Sequence, residues 1–205
     1  MKTTDKLSIA LISAHGLIRG HQLELGRDAD TGGQTLYVVE LAQALARRDD
    51  VRQVDLFTQR ITDPRVSSDY AREIEVLSDK FRIVRIETGF DEYVAKEQLW
   101  DSLDHFTDNL CSFLRSNSCM PDILHSHYAD AGYVGSKLSS QLGIPLIHTG
   151  HSLGRVKRRR LLADGLKNDD IETRFNMLRR IEAEEMTLAS AERVITSTHQ
   201  EIEEQ

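Results

Sequence analysis

Short apolar, β-branched runs alternate with amphipathic segments along this chain, and such alternation folds as a parallel sheet covered by helices. The runs are Leu7 to Ile12, Val51 to Phe57, Phe81 to Ile86, Ile123 to Leu124, Ile144 to His148 and Val194 to Thr196. Six candidate strands suffice for a doubly wound, Rossmann-like α/β domain, and 205 residues is about the size of one domain. Between the first two strands, Val38, Leu41, Ala42 and Leu45 form an i, i+3, i+4, i+7 stripe that opens at Gly32-Gly33-Gln34. A second stripe runs from Lys96 through Leu99, Leu103, Phe106, Leu110 and Phe113, and a third starts with Phe175, Leu178 and Ile181. No repeat, linker or low-complexity tract interrupts the pattern, so residues 1–205 read as one nearly complete domain. Ile202 to Gln205 reads as the start of a helix after the last strand, which makes the sequence look like the front part of a longer protein.

Composition narrows the function classes. The 26 Lys and Arg against 33 Asp and Glu give a net charge of −7, which argues against a general nucleic-acid binder. No apolar run approaches the roughly 18 residues of a membrane span, and Met1 to Lys6 leads into an apolar stretch too short for the secretory signal pattern, so neither a span nor secretion is expected. Cys111 and Cys119 lie in or beside a helix with no His or Cys at metal spacing, so neither a disulfide framework nor a zinc site is expected, and a cytoplasmic setting follows.

Ligands of open parallel sheets bind beyond the carboxyl ends of the strands. There the sequence places Ser13-Ala14-His15-Gly16, His125-Ser126-His127-Tyr128 and Thr149-Gly150-His151-Ser152, three histidine-bearing segments converging on one crevice. Thr31-Gly32-Gly33-Gln34 opens the first helix, where unpaired N–H groups and the dipole favour an anion. It reads either as a cradle for phosphate or sugar hydroxyls or as a Gly-rich helix cap; the long loop from His15 to Thr31 favours the former. Neither Gly-x-Gly-x-x-Gly nor a P-loop is present, which removes nicotinamide enzymes and P-loop ATPases. Asp28-Ala29-Asp30 reads as solvated or Arg-paired carboxylates rather than a metal site. Arg155, Lys157, Arg158, Arg159 and Arg160 put five cations into six positions after the fifth strand, and at least one is expected to neutralise a phosphate in the crevice. Lys96, and Arg179-Arg180 beside Glu182, Glu184 and Glu185, read on their own as surface ion pairs. No Gly-x-Ser-x-Gly elbow or other nucleophile arrangement occurs.

Taken together, the stretches His15 to Gly20 and Glu24 to Gln34, then Tyr37 to Ala42, His125 to Gly132, Thr149 to Arg155, Arg179 to Glu185, and Ile195 to Thr198 with Gln200 to Ile202 resemble the amino-terminal part of the sucrose-phosphate synthases. The likeness runs in order through essentially the whole chain. It implies a retaining glycosyltransferase of GT-B architecture, in which two Rossmann-like domains face each other across a cleft. This chain would be the first, acceptor-side domain; the carboxyl-terminal domain that holds most of the nucleotide sugar, with its cationic pair and Glu-x7-Glu segment, would be a missing partner. A fragment of this kind is expected to bind the acceptor but to be inactive alone.

Position by position, the resemblance implies that Gly33 and Gln34 contact the acceptor, fructose 6-phosphate, and that Lys96, Lys157 and one of Arg179 or Arg180 bind its phosphate. His151 corresponds to the active-site histidine that orients the donor hexose, typically from UDP-glucose. Gly32 and the His15-Gly16 turn would admit the donor diphosphate to backbone N–H groups. No cofactor or fixed metal is implied, and retention without a protein nucleophile suggests front-face attack with the departing diphosphate as base. Sucrose synthases share the Asp-Thr-Gly-Gly-Gln element but usually carry a large extension ahead of it and an Ala-His-Ala-Leu-Glu-Lys version of the His151 loop, neither of which is seen here. Mannosylfructose-phosphate synthase uses the same acceptor with GDP-mannose and is an alternative, as are a sucrose synthase relative and a non-catalytic sugar-phosphate-binding module.

Overall fold

The computed structural model describes residues 6–196. Seven strands form one sheet: β1 (Leu7–Ile12), β2 (Val51–Gln59), β3 (Ile74–Ser78), β4 (Phe81–Ile86), β5 (Ile123–His127), β6 (Leu146–Thr149) and β7 (Arg193–Ile195). Their spatial order is β3-β4-β2-β1-β5-β6-β7, with only β3 antiparallel to its neighbour. Leaving out β3, the parallel strands run third, second, first, fourth, fifth, sixth, the order of a doubly wound sheet. The chain therefore reverses direction across the sheet between β1 and β5, and a crevice opens there.

Helices cover both faces. Helix α1 (Gly33–Ala46) packs Val38, Val39 and Ala42 against Ile9, Leu11, Val54 and Leu56, while Ala10, Ile12 and Phe57 turn to the opposite face. This is the period-2 alternation of a strand buried on both sides. On that second face lie α3 (Leu103–Ser116), α4 (Tyr128–Leu142) and α7 (Met177–Ser190), with Phe106, Leu110, Val134 and Ala183 in one core. Two short elements, α2 (Lys96–Leu99) with a 3₁₀ turn at Trp100–Ser102, lead into α3; α5 (Gly154–Ala163) and α6 (Asn168–Phe175) lie between β6 and α7.

Several sequence expectations need correction. Six of the seven strands are anticipated; β3 is not, because its pattern is inverted. Val76 is 71% exposed, whereas Glu75 turns inward to the fully buried Arg85 at 2.6 Å. The fourth and fifth strands continue into the polar segments, so His125, His127 and Thr149 are strand residues rather than loop residues, and β6 begins at Leu146, not Ile144. The stripe of Phe175, Leu178 and Ile181 is not one helix: Asn176 adopts φ +45° between α6 and α7, and Leu178 is 53% exposed. Asparagine tolerates this left-handed conformation better than most residues. The helix anticipated at Ile202 to Gln205, together with Ser197, Thr198 and Gln200, lies outside the described residues.

The long loop after β1 is ordered by its own contacts. Arg85 donates to the Ile18 carbonyl at 2.9 Å, Tyr70 donates to Glu24 at 3.0 Å, and Leu17, Ile61 and Tyr70 form a small satellite core. Gly16 turns the chain into this loop with φ +87°, and a Cβ there would lie 2.5 Å from the Asp30 carbonyl oxygen. Both the backbone conformation and this close approach require glycine. Gly16→Ala is expected to lower the unfolding free energy by about 2 kcal/mol or more, read by urea denaturation; stability equal to the parent would contradict the packing.

Candidate functional site

The crevice at the carboxyl ends of β1, β5 and β6 is lined by buried charge. His15, just beyond β1, meets Asp130 of α4 at 2.6 Å, and both are almost fully buried. Burial by itself would lower the His15 pKa, but the charge and hydrogen bond of Asp130 outweigh it and raise the value. Tyr128 follows β5 with φ +76°, an unfavourable conformation for a bulky side chain. Its ring is wedged edge-on to His15, with centroids 4.9 Å apart, and lies 4.6 Å beneath the Arg180 guanidinium.

Around Tyr128 the structure gathers three of the cations named from the sequence. Lys96, at the start of α2, lines a small cleft with Trp100, Tyr128, Phe175 and Arg180. Lys157 of α5 holds its Nζ 4.1 Å from the centre of the Phe175 ring, within reach of the fields of Arg180 and Lys96. Arg179 points elsewhere, donating to Asp101 at 2.5 Å and to the Trp100 carbonyl at 2.9 Å. Consecutive helical residues diverge by about 100°, so one arginine of the pair faces the cleft and the other does not.

The cations differ in their compensation. Lys96 Nζ is held by Asp30, which also accepts from the Lys96 backbone N–H at 2.8 Å. Asp30 is thus a buried, lysine-paired carboxylate, in contrast to the solvated or Arg-paired group expected; Asp28, by comparison, is exposed and accepts from Tyr93 at 3.2 Å. Arg180 donates to Glu184 at 2.9 Å and to the Ser152 carbonyl at 2.9 Å, so this pair is a buried clamp on the His151 loop and not a surface i, i+4 contact. Glu184 also accepts from Gly154 N–H at 2.7 Å and so caps α5; burial raises its pKa against the pull of Arg180. Lys157 makes no ion pair among the described residues, and burial, with Arg180 and Lys96, lowers its pKa against the weaker pull of Glu97 and Asp30. Of the rest of the basic run, Arg155 pairs with Glu185 at the surface and Arg158 donates to Asn168, while Arg159 and Arg160 are exposed. Lys157 is the cation of that run set beside Lys96 and Arg180.

Helix α1 begins at the same crevice. Its cap, Gly32, makes no side-chain cap bond, and no acidic residue occupies the first turn. A Cβ at Gly32 or Gly33 would meet nothing within 4 Å, and Gly32 has φ −89°, so neither packing nor this backbone angle demands glycine. What the missing side chains leave is open space before a helix N-terminus, suited to an anion or hydroxyl. Gln34 sits one step further in, donating to Ser13 at 3.3 Å. Gly16, by contrast, is accounted for by the Asp30 contact.

His151 has φ +61° and lies 3.2 Å, ring nitrogen to ring nitrogen, from His127. Behind it, His125 and His148 are buried against Thr149 and Ser126 at 2.9 Å each. Burial lowers His125 and His148 to about 4 and His127 well below its ordinary value, so all three are neutral at pH 7. The sequence motifs name these histidines but assign no site role to Tyr128, Asp130, Phe175 or Glu184, for which the i, i+4 spacing of Arg180 and Glu184 is the available signal. Among the described residues no group of three or more His, Cys, Asp or Glu is placed to hold a metal, and no helix is long and apolar enough to cross a membrane. A surface cavity of about 660 Å³ lies at the amino ends of the strands, where its arginines, Arg52 and Arg82, already face Asp122 and Asp55.

These depressed histidines carry a pH signature. A group whose folded pKa lies below its unfolded value contributes stability that is present above about pH 6.5 and lost as the pH falls toward about 4. Each of His125 and His148 removes roughly 2 kcal/mol by pH 5. His15 has the opposite sign: its contribution is full below pH 6.5 and fades as the pH rises through its folded pKa. Urea unfolding at pH 7 and pH 5 is expected to show a loss of about 2 kcal/mol or more at the lower pH; equal stability would contradict the neutral cluster.

A family model described as the first GT-B domain of sucrose synthase matches residues 2–205. Sucrose-phosphate synthase 4 of Arabidopsis thaliana is 44% identical over 226 residues, covering 100% of this chain and 22% of the plant protein. The sucrose-phosphate synthase of Spinacia oleracea is 44% identical over 228 residues, with 98% and 22% covered. A solved sucrose-phosphate synthase from Thermosynechococcus elongatus superimposes with a TM-score of 0.76 at 28% identity, over 96% of this chain and 44% of that one. The UGT2 of Phytolacca americana, at 13% identity and a TM-score of 0.59, shares the fold. The chain spans about a fifth of the length of the plant relatives it matches. Through a family match extending over residues 2–205, the chain belongs to the sucrose synthase and sucrose-phosphate synthase family of GT-B glycosyltransferases.

Proposed function

We propose that this chain is the acceptor-side domain of a cytoplasmic sucrose-phosphate synthase that transfers glucose from UDP-glucose to fructose 6-phosphate with retention, giving sucrose 6-phosphate. The observation that carries the reading is the convergence of Lys96, Lys157 and Arg180 on the Tyr128 and Phe175 rings at the mouth of the crevice. A phosphate dianion there would offset both the burial and the repulsion from Arg180 and Lys96 that lower the Lys157 pKa. Two of the three cations are already balanced by Asp30 and Glu184, so Lys157 contributes most to capture.

In this reading the sugar of the acceptor lies along Gly33 and Gln34, and His151 holds the donor hexose by hydrogen bonding. A second domain supplies the nucleotide site and the cations for the leaving diphosphate, without which the chain is inactive, and neither a metal nor a cofactor enters. The acceptor hydroxyl attacks the anomeric carbon from the face that UDP leaves, and the departing diphosphate takes its proton. Positioning and charge stabilisation carry such a step.

Calorimetric titration with fructose 6-phosphate tests the acceptor assignment, with fructose and glucose 6-phosphate as controls. Lys157→Ala is expected to weaken binding about tenfold or more, the magnitude of a lost charge-assisted hydrogen bond. Gly33→Ala is expected to keep the parent's stability and to weaken binding, because its Cβ enters open space that the ligand uses. Equal affinity for fructose and fructose 6-phosphate, or an unaffected Lys157→Ala, would contradict the phosphate site.

A further inference from the structure

We infer that His127 is a positioning residue that fixes the tautomer of His151, donating from its Nδ1–H to His151 Nε2 so that His151 carries its own proton on Nδ1. The inference rests on the proposed function only for what His151 then does to a substrate.

Two arrangements could satisfy the 3.2 Å contact between His127 Nδ1 and His151 Nε2. Either nitrogen can donate, and the other nitrogen of His127 decides between them. His127 is fully buried, and its Nε2 has no hydrogen-bond partner. A neutral imidazole carries one proton. If His127 Nδ1 accepted, that proton would sit on Nε2 as an orphaned N–H inside the protein, one of the rarest features of native interiors. If Nδ1 donates, Nε2 is left as a bare lone pair, the more tolerated of the two. The plane of the ring is held from two sides, with the His125 ring against it at a centroid distance of 4.2 Å and Tyr37 edge-on at 5.8 Å, and the contact to His151 sets which edge carries Nδ1. His125 is itself pinned at Nε2 by Thr149, 2.9 Å away.

The consequence falls on a strained residue. His151 stands at φ +61°, with the Tyr37 ring 5.1 Å away. With Nε2 committed as the acceptor for His127, His151 acts through Nδ1 only as a donor, so toward a sugar it recognises the oxygen lone pair of a hydroxyl and not its proton.

Long-range ¹⁵N–¹H correlation spectra of the ¹⁵N-labelled chain at pH 7.5, without ligand, read the tautomers directly, with His151 assigned by the signal lost in His151→Gln. The expected result is Nδ1–H for both His127 and His151. In His127→Asn, whose amide nitrogen can stand in for Nδ1 as donor, His151 keeps the Nδ1–H form; in His127→Leu it shifts toward the Nε2–H form that free imidazole favours. Nε2–H at His151 in the parent chain, or an unchanged tautomer in His127→Leu, would overturn the inference. The parent spectrum decides even if the leucine variant fails to fold. Because no sugar is present, this result is separate from the fructose 6-phosphate titration, whose failure would instead count against the proposed function.

Discussion

The bond between His15 and Asp130 crosses the place where the sheet changes direction, joining the loop after β1 to the first turn of α4 beyond β5. A doubly wound sheet leaves its crevice at that point, and two buried ionisable groups can be kept there only as a pair. Their pairing fixes what lies around them. The His15 ring supports Tyr128, and the Tyr128 face carries Arg180. Arg180 in turn holds the Ser152 carbonyl, next to His151. Strain at Tyr128 and His151, both in the left-handed region, is sustained because these contacts over-determine the two positions.

From that frame follows an uneven distribution of charge. Asp30 holds Lys96 and Glu184 holds Arg180, so two cations are pre-positioned without making the crevice strongly positive. Lys157 adds a charge without an ion-pair partner among the described residues, feeling Glu97 and Asp30 only at a distance, next to an aromatic ring that contributes a cation–π contact. The N-terminus of α1 adds dipoles and no side chains. A crevice of this kind suits a ligand with a compact anionic end and a hydroxylated body. The two helix starts also differ in a telling way: α5 is capped from within by Glu184, whereas α1 opens onto unfilled space.

Much of this was legible in the sequence, and the exceptions have physical reasons. The alternation of Ile9 and Leu11 with Ala10 and Ile12 announces a strand covered on both faces, and the α1 stripe is regular. Strand β3 was hidden because its inward residue is Glu75, paired with Arg85, while Val76 faces out. The sequence pattern ends β5 too early because polarity marks a loop only where the next layers are water. His125 and His127 are polar yet remain in the strand, satisfied or enclosed by Thr149, His151 and one another. Which of Arg179 and Arg180 enters the cleft depends on the phase of α7, and that phase is set by the break at Asn176. The pairing of Asp30 with Lys96 joins residues 66 positions apart and left no local pattern to read.

The proposal that a phosphate site stands at the switch point of this domain before any second domain closes on it rests on Lys96, Lys157 and Arg180. A crystal structure of the chain soaked with fructose 6-phosphate tests it most directly. The account predicts phosphate density bounded by Lys96 Nζ, Lys157 Nζ and the Arg180 guanidinium, with the sugar extending toward Gly33 and Gln34. Density instead in the cavity between Arg52 and Arg82, or an unoccupied crevice at saturating ligand, would contradict it.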